Sequence, residues 1–155
     1  MARAGFTAIS GGKIRFGKDG LWYCNDEVVP NRAIRDLFSR TLIVLPDGRG
    51  RLELGEDKAD VEIEDTPWVV TGCDGTPASG FSVTLNDGTR EALDPATLRV
   101  GDAHVLYCRV KRGAHEARFL RPAYYELLRH AEPGPAGEVV LAVPGHRVVV
   151  GERAS

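Results

Sequence analysis

Apolar and polar positions change period several times along this chain, and each change marks an element. Ile14-Arg-Phe16 and Leu21-Trp-Tyr-Cys24 alternate on either side of Lys18-Asp19-Gly20, which predicts a hairpin. Pro30-Asn31 then opens a helix. Asn31 is a good N-cap, because its side-chain oxygen can accept an orphan N–H of the first turn. Ile34, Leu37 and Phe38 follow at i, i+3, i+4 as one apolar stripe. The helix should end near Ser39 or Arg40, and the β-branched run Thr41–Leu45 reads as a strand or a continuation. Pro46–Gly50 is a turn, and Arg51–Leu54 a short strand. Lys58–Asp65 alternates, Val61 and Ile63 pointing one way and Glu62 and Glu64 the other, as an edge strand protected by charge. Pro67 fits an edge or bulge. Trp68–Thr71 is a strand, Asp74–Gly80 a loop, and Phe81, Val83 and Leu85 the apolar side of another strand. Asn86-Asp87-Gly88 is a hairpin turn, since left-handed backbone is cheap for these residues. Asp94-Pro95 breaks the return strand.

Leu106–Leu128 is the most informative stretch: strand, Gly-containing turn, strand, and a helix opened by Pro122, where a missing N–H costs nothing. A two-residue turn at Arg112-Gly113 sets Arg109 opposite Glu116 and Tyr107 opposite Arg118. The other face becomes Leu106, Cys108 and Val110 against Phe119, Ala117 and His115. One face is apolar and one charged, as a half-buried antiparallel sheet requires; a one-residue slip would bury arginines. Arg109 and Glu116 are expected to form an ion pair, and Arg118 to lie across Tyr107. Residues 1–12 read as a frayed end, Glu132–Gly137 as a linker, and Val139–Val143 with Arg147–Val150 as a last hairpin around Pro144-Gly145. The hairpin-then-helix order occurs twice, at 14–40 and 104–130. The expected fold is α+β: mostly antiparallel strands in curved sheets with two short helices, in two small related lobes sharing a core. The N-terminal lobe is set at 14–60 and the C-terminal lobe at 61–155.

Charge narrows the functional classes. The chain of 155 residues carries a formal net charge of -2, which does not suit a general nucleic-acid binder. The cations Arg109, Lys111, Arg112, Arg118 and Arg121 are therefore a local cluster. No apolar run approaches the roughly 18 residues of a membrane-spanning helix. The N-terminus lacks a signal-peptide core, so a cytoplasmic location is expected. Cys24, Cys73 and Cys108 form no C-x-x-C and read as small buried hydrophobes. His104, His115, His130 and His146 have no metal-ligand spacing, and no glycine fingerprint for nucleotides occurs. No catalytic residue, metal site or cofactor is assigned. Glu62, Glu64 and Asp65 are the main acidic cluster.

Asp19-Gly-Leu-Trp22, the helix ending Asp36-Leu-Phe38, Val61-Glu-Ile-Glu-Asp-Thr-Pro-Trp68 and Glu116-Ala-Arg-Phe-Leu-Arg-Pro-Ala-Tyr-Tyr-Glu-Leu127 occur in an order that resembles a bacterial family, domain of unknown function family 1285. The resemblance runs from about residue 14 to about residue 130. The chain departs from the pattern at Trp68, where Phe is expected. The resemblance implies an α+β fold of two small lobes, each a curved sheet around a helix, loosely like pleckstrin-homology domains. It also implies a role in signalling or regulation, and it carries over no catalytic residue.

Two functional readings follow. The first is a cytoplasmic, non-catalytic binding or regulatory module. It would recognise a small anionic ligand or an acidic protein segment through Tyr107, Arg109, Lys111, Arg118 and Arg121. The second is a small hydrolase or transferase with a site between the lobes built on Glu62, Glu64 or Asp65. A third role is a structural subunit that buries a strand face in a homodimer.

Overall fold

The alternation in residues 14–24 produces two strands that pair antiparallel, and the rest of the first sheet grows from them. The computed structural model describes residues 13–143 and 146–151. The readings of residues 1–12 and of the Pro144-Gly145 turn lie outside these. The chain separates into two units. One ends at Pro67 and also takes in Asn86–Gly88; the other comprises Trp68–Leu85 and the chain from Thr89 onward.

In the first unit, β1 (Ile14–Phe16), β2 (Trp22–Cys24) and β3 (Glu27–Val28) precede α1 (Arg32–Thr41). Then follow β4 (Leu42–Val44), β5 (Gly50–Leu54) and β6 (Asp57–Ile63). Asn31 caps α1 as expected, accepting the Ile34 N–H at 3.1 Å. The helix runs on to Thr41, whose hydroxyl donates to the Leu37 carbonyl, and Leu42 then turns extended. The sheet order is β3-β2-β1-β6-β5-β4. β6 is therefore a central strand, parallel to β1 and antiparallel to β5, and not an edge. Glu62 is exposed because it leaves the face opposite Val61, which is buried. The core closes on Phe16, Trp22 and Phe38. Trp22 meets Phe16 at 4.9 Å and Phe38 edge-on at 5.4 Å. Its indole N–H donates to the buried Ser39 hydroxyl at 2.9 Å, so its one polar atom is satisfied.

In the second unit, β7 (Trp68–Thr76), β8 (Gly80–Leu85) and β9 (Arg90–Ala92) lead to a 3-10 turn at Pro95–Thr97. β10 (Arg99–Val100), β11 (Leu106–Val110), β12 (His115–Phe119) and α2 (Arg121–Leu128) come next. β13 (Glu132–Pro133), β14 (Val139–Val143) and β15 (His146–Gly151) form a separate three-stranded sheet. The stretch expected to be a loop, Asp74–Gly80, is mostly strand: β7 continues to Thr76, with a register irregularity after Val70 that re-aims its end. The six-stranded sheet has the order β10-β11-β12-β7-β8-β9. Trp68, Val70, Cys73, Phe81, Val83, Cys108, Val110, Ala117, Ala123 and Leu127 are buried in this unit.

Both six-stranded sheets share one topology. The first and sixth strands of each run parallel side by side at the centre, β1 with β6 and β7 with β12, and antiparallel meanders spread outward from them. The fold is thus α+β, with two related six-stranded sheets and, among the described residues, two α-helices. The repeating piece is the whole sheet, not a hairpin followed by a helix. α1 sits between the third and fourth strands of the first sheet, whereas α2 follows the sixth strand of the second.

Candidate anion-binding hairpin

The β11–β12 hairpin has the register its two-faced pattern demands. Tyr107 lies opposite Arg118, Cys108 opposite Ala117, Arg109 opposite Glu116 and Val110 opposite His115. Leu106, Cys108, Val110, Ala117 and Phe119 are all buried. The turn is a tight one centred on Arg112-Gly113, closed by the Ala114 N–H on the Lys111 carbonyl at 3.1 Å. Lys111, Arg112 and Gly113 are all left-handed, with φ of 55°, 59° and 79°. Only the glycine adopts this without a Cβ clash.

The charged face is wired differently from expectation. Glu116 is gripped in a two-pronged ion pair by Arg99, whose Nε and Nη2 lie 2.6 and 2.8 Å from the two carboxylate oxygens. Arg99 also stacks over Tyr107, 4.3 Å from the ring centre, and Tyr107 is buried. Arg99 stands on β10 directly opposite Tyr107, so it reaches both partners at once. Arg109, although in register with Glu116, turns toward the tip. Its Nε donates to the Gly113 carbonyl at 2.8 Å and its Nη2 to the Ala114 carbonyl at 3.3 Å. Arg99 escaped notice in the sequence because its strand is two residues long and shows no alternation.

Lys111 is the hub of the hairpin end. Its backbone N–H donates to both carboxylate oxygens of Glu91, at 3.1 and 3.2 Å. Its ammonium donates to the Thr89 hydroxyl at 3.1 Å and lies 5.3 Å from the centre of the Trp68 ring. Trp68 in turn contacts the imidazole of His115, ring centres 5.0 Å apart. Burial, and then the positive charges of Arg109 and Lys111, hold the His115 pKa below its usual value. The hairpin end thus sets Lys111 and His115 against one aromatic ring, with Arg109 and Arg112 exposed nearby in the chain. Of the residues singled out in the sequence, Arg109 and Lys111 belong to it. Arg118 is half-buried, in register with Tyr107 and Val69, and Arg121 is exposed at the start of α2, donating to the Tyr125 hydroxyl at 3.2 Å. Trp68, Thr89, Glu91 and His115 were missed as site residues, since strands distant in sequence bring them together.

The acidic residues form no comparable focus. Glu64 accepts the Lys18 N–H at 2.9 Å and a guanidinium N–H of Arg15 at 3.2 Å. Glu62 lines an open groove of about 850 Å³ in the first unit, together with Lys13, Asp47, Arg49, Lys58 and Asp60. That groove contains no histidine. Among the described residues, no group of His, Cys, Asp and Glu is placed to hold a metal, and no helix is long and apolar enough to cross a membrane. Cys73 and Cys108 are buried, and burial raises their thiol pKa values to about 11 and about 12.

No protein-family model matches this sequence. No curated protein matches it either. Two crystal structures do match in three dimensions. A DUF1285 family protein from Silicibacter pomeroyi superposes with a TM-score of 0.68 at 19% identity, over 90% of this chain and 80% of that one. A DUF1285 family protein from Shewanella baltica superposes with a TM-score of 0.59 at 21% identity, over 77% of this chain and 93% of that one. The chain has the DUF1285 fold. The resemblance drawn from the motifs is therefore met in the architecture.

Proposed function

We propose that this chain is a non-catalytic binding module of the cytoplasm, with a regulatory role, that recognises an anionic group at the end of the β11–β12 hairpin. One observation carries this reading. The turn holds two left-handed non-glycine residues, Lys111 and Arg112, beside exposed Arg109, and burial together with the charges of Arg109 and Lys111 disfavours protonation of His115 there. Backbone strain of this kind persists where the surroundings impose it, and it concentrates at functional sites. Arginine supplies a planar fork of donors that matches carboxylate or phosphate, and lysine a compact charge. Arg118 and Arg121 extend the candidate surface along β12 and onto α2.

The test is thermal stabilisation by a panel of phosphates, nucleotides, acidic metabolites and acidic peptides. Wild type should respond to at least one anion. The Arg109→Ala/Lys111→Ala double variant should lose that response, and Arg118→Ala/Arg121→Ala should weaken it. A panel with no effect on folded wild type sinks the proposal.

A further inference from the structure

Glu91 stands on β9, the edge strand of the second unit's six-stranded sheet. Its two oxygens share the Lys111 N–H, at 3.1 and 3.2 Å. Lys111 is left-handed, and its N–H is given to this carboxylate. The ammonium of the same lysine reaches Thr89, two positions before Glu91. A carboxylate of the protein itself therefore occupies the Lys111 backbone N–H at the cationic end of the hairpin.

We propose that the partner is an acidic segment of another protein, and that one of its Asp or Glu carboxylates exchanges for Glu91 at Lys111. This rests on the reading of the hairpin end as an anion-binding surface. Glu91 displays the chemistry that the position accepts: two planar oxygens on one backbone N–H. A protein segment is favoured over a small molecule because Arg109 and Arg112 lie exposed at the tip. A cleft of this unit is lined instead by Pro95, Leu98, Arg99, Val100, Arg147 and Val149. Several acidic side chains on one chain can engage Arg109, Lys111 and Arg112 together, which raises the effective concentration of the one that replaces Glu91. Glu91 then sets a threshold. The competent site is populated only when Glu91 has left, and apparent affinity falls by that fraction.

The test is calorimetric titration of an N-acetylated hexaglutamate peptide, and separately of inorganic phosphate, into three proteins: wild type, Glu91→Gln and Arg109→Ala/Lys111→Ala. Glu91→Gln should bind the peptide about tenfold more tightly than wild type, and the double variant should not bind. Equal affinity of wild type and Glu91→Gln, with loss in the double variant, overturns the exchange while leaving the anion-binding surface in place. No binding by any of the three overturns both. Binding of phosphate without binding of the peptide overturns the acidic-segment partner. A second measurement needs no variant. The carbon-13 signal of the Glu91 carboxyl in wild type should move as peptide is added, and a signal that stays fixed at saturation overturns the exchange.

Discussion

Among the described residues three segments place pairs of non-glycine residues in the left-handed region, Asn25-Asp26, Ala103-His104 and Lys111-Arg112, and the first and last of these, both hairpin turns, use opposite chemistry. Between β2 and β3 the turn is Asn25-Asp26, with φ of 51° and 67°. Asn and Asp tolerate that region because their short polar side chains bond locally. Asn25 is also tied across the sheet: its side-chain oxygen accepts the Lys13 N–H at 3.0 Å, and its own N–H donates to the Lys13 carbonyl at 2.8 Å. Between β11 and β12 the left-handed positions fall to Lys111 and Arg112, which have long side chains in place of short polar ones. A left-handed conformation costs such residues roughly 1–2 kcal/mol each. The first turn is built for stability. The second accepts strain and gains a cationic tip.

The largest expected effects test the floor beneath each turn. Trp22→Ala and Trp68→Ala should each destabilise by about 3–5 kcal/mol, as for core aromatics generally, read from denaturant midpoints at constant slope. Only Trp68→Ala should also abolish the response to anions, because only Trp68 underlies Lys111 and His115. If both variants kept that response, the aromatic floor would have no part in the site.

Next in size come the turns themselves. Asn25→Ala should lose about 1–2 kcal/mol, whereas Arg112→Asn should gain up to about 1 kcal/mol while binding anions less well. A destabilised Arg112→Asn would show that the second turn is not strained, and the contrast between the hairpins would collapse.

The third effect is a pH dependence. The folded-state pKa of His115 is lowered, so the neutral form is favoured on folding. The associated stability is fully present above the unfolded value near 6.5 and is lost as pH falls through the folded value. NMR titration should show the His115 pKa rising in Arg109→Ala, in Lys111→Ala, and in wild type with a bound anion. A value unmoved by both substitutions would remove the electrostatic basis of the site. The smallest effect concerns the thiols. At pH 8 in the native state, Cys73 and Cys108 should resist a disulfide reagent that labels half-buried Cys24, since their thiolates are suppressed by burial.

What could be read in the sequence was local or two-faced. The register of residues 106–119 was legible because a slip would have put arginines in the core. The cap at Asn31 was legible because it needs only its own first turn. The parallel central pairs were not, since nothing near Ile14 points to Val61, nor near Trp68 to Ala117. For the same reason Glu62 looked like an edge residue. The ion pairs failed differently. Register correctly placed Arg109 beside Glu116, but a long side chain goes to the best acceptor in reach, and Arg99 approached that carboxylate from a strand too short to announce itself.

The parallel pairing of first and last strands also sets the order of assembly. Neither six-stranded sheet can form its central ladder until its sixth strand has been synthesised, so each depends on closing a long loop early, which slows folding. On the ribosome, the strands of the first sheet are complete once Ile63 has emerged, before the second sheet has begun. A chain stalled before β12 would carry β7 with one long side unpaired, a template for another nascent strand. The β11–β12 hairpin is then the last piece of the second sheet to arrive, and its cationic end is presented only by chains whose strands are all in place.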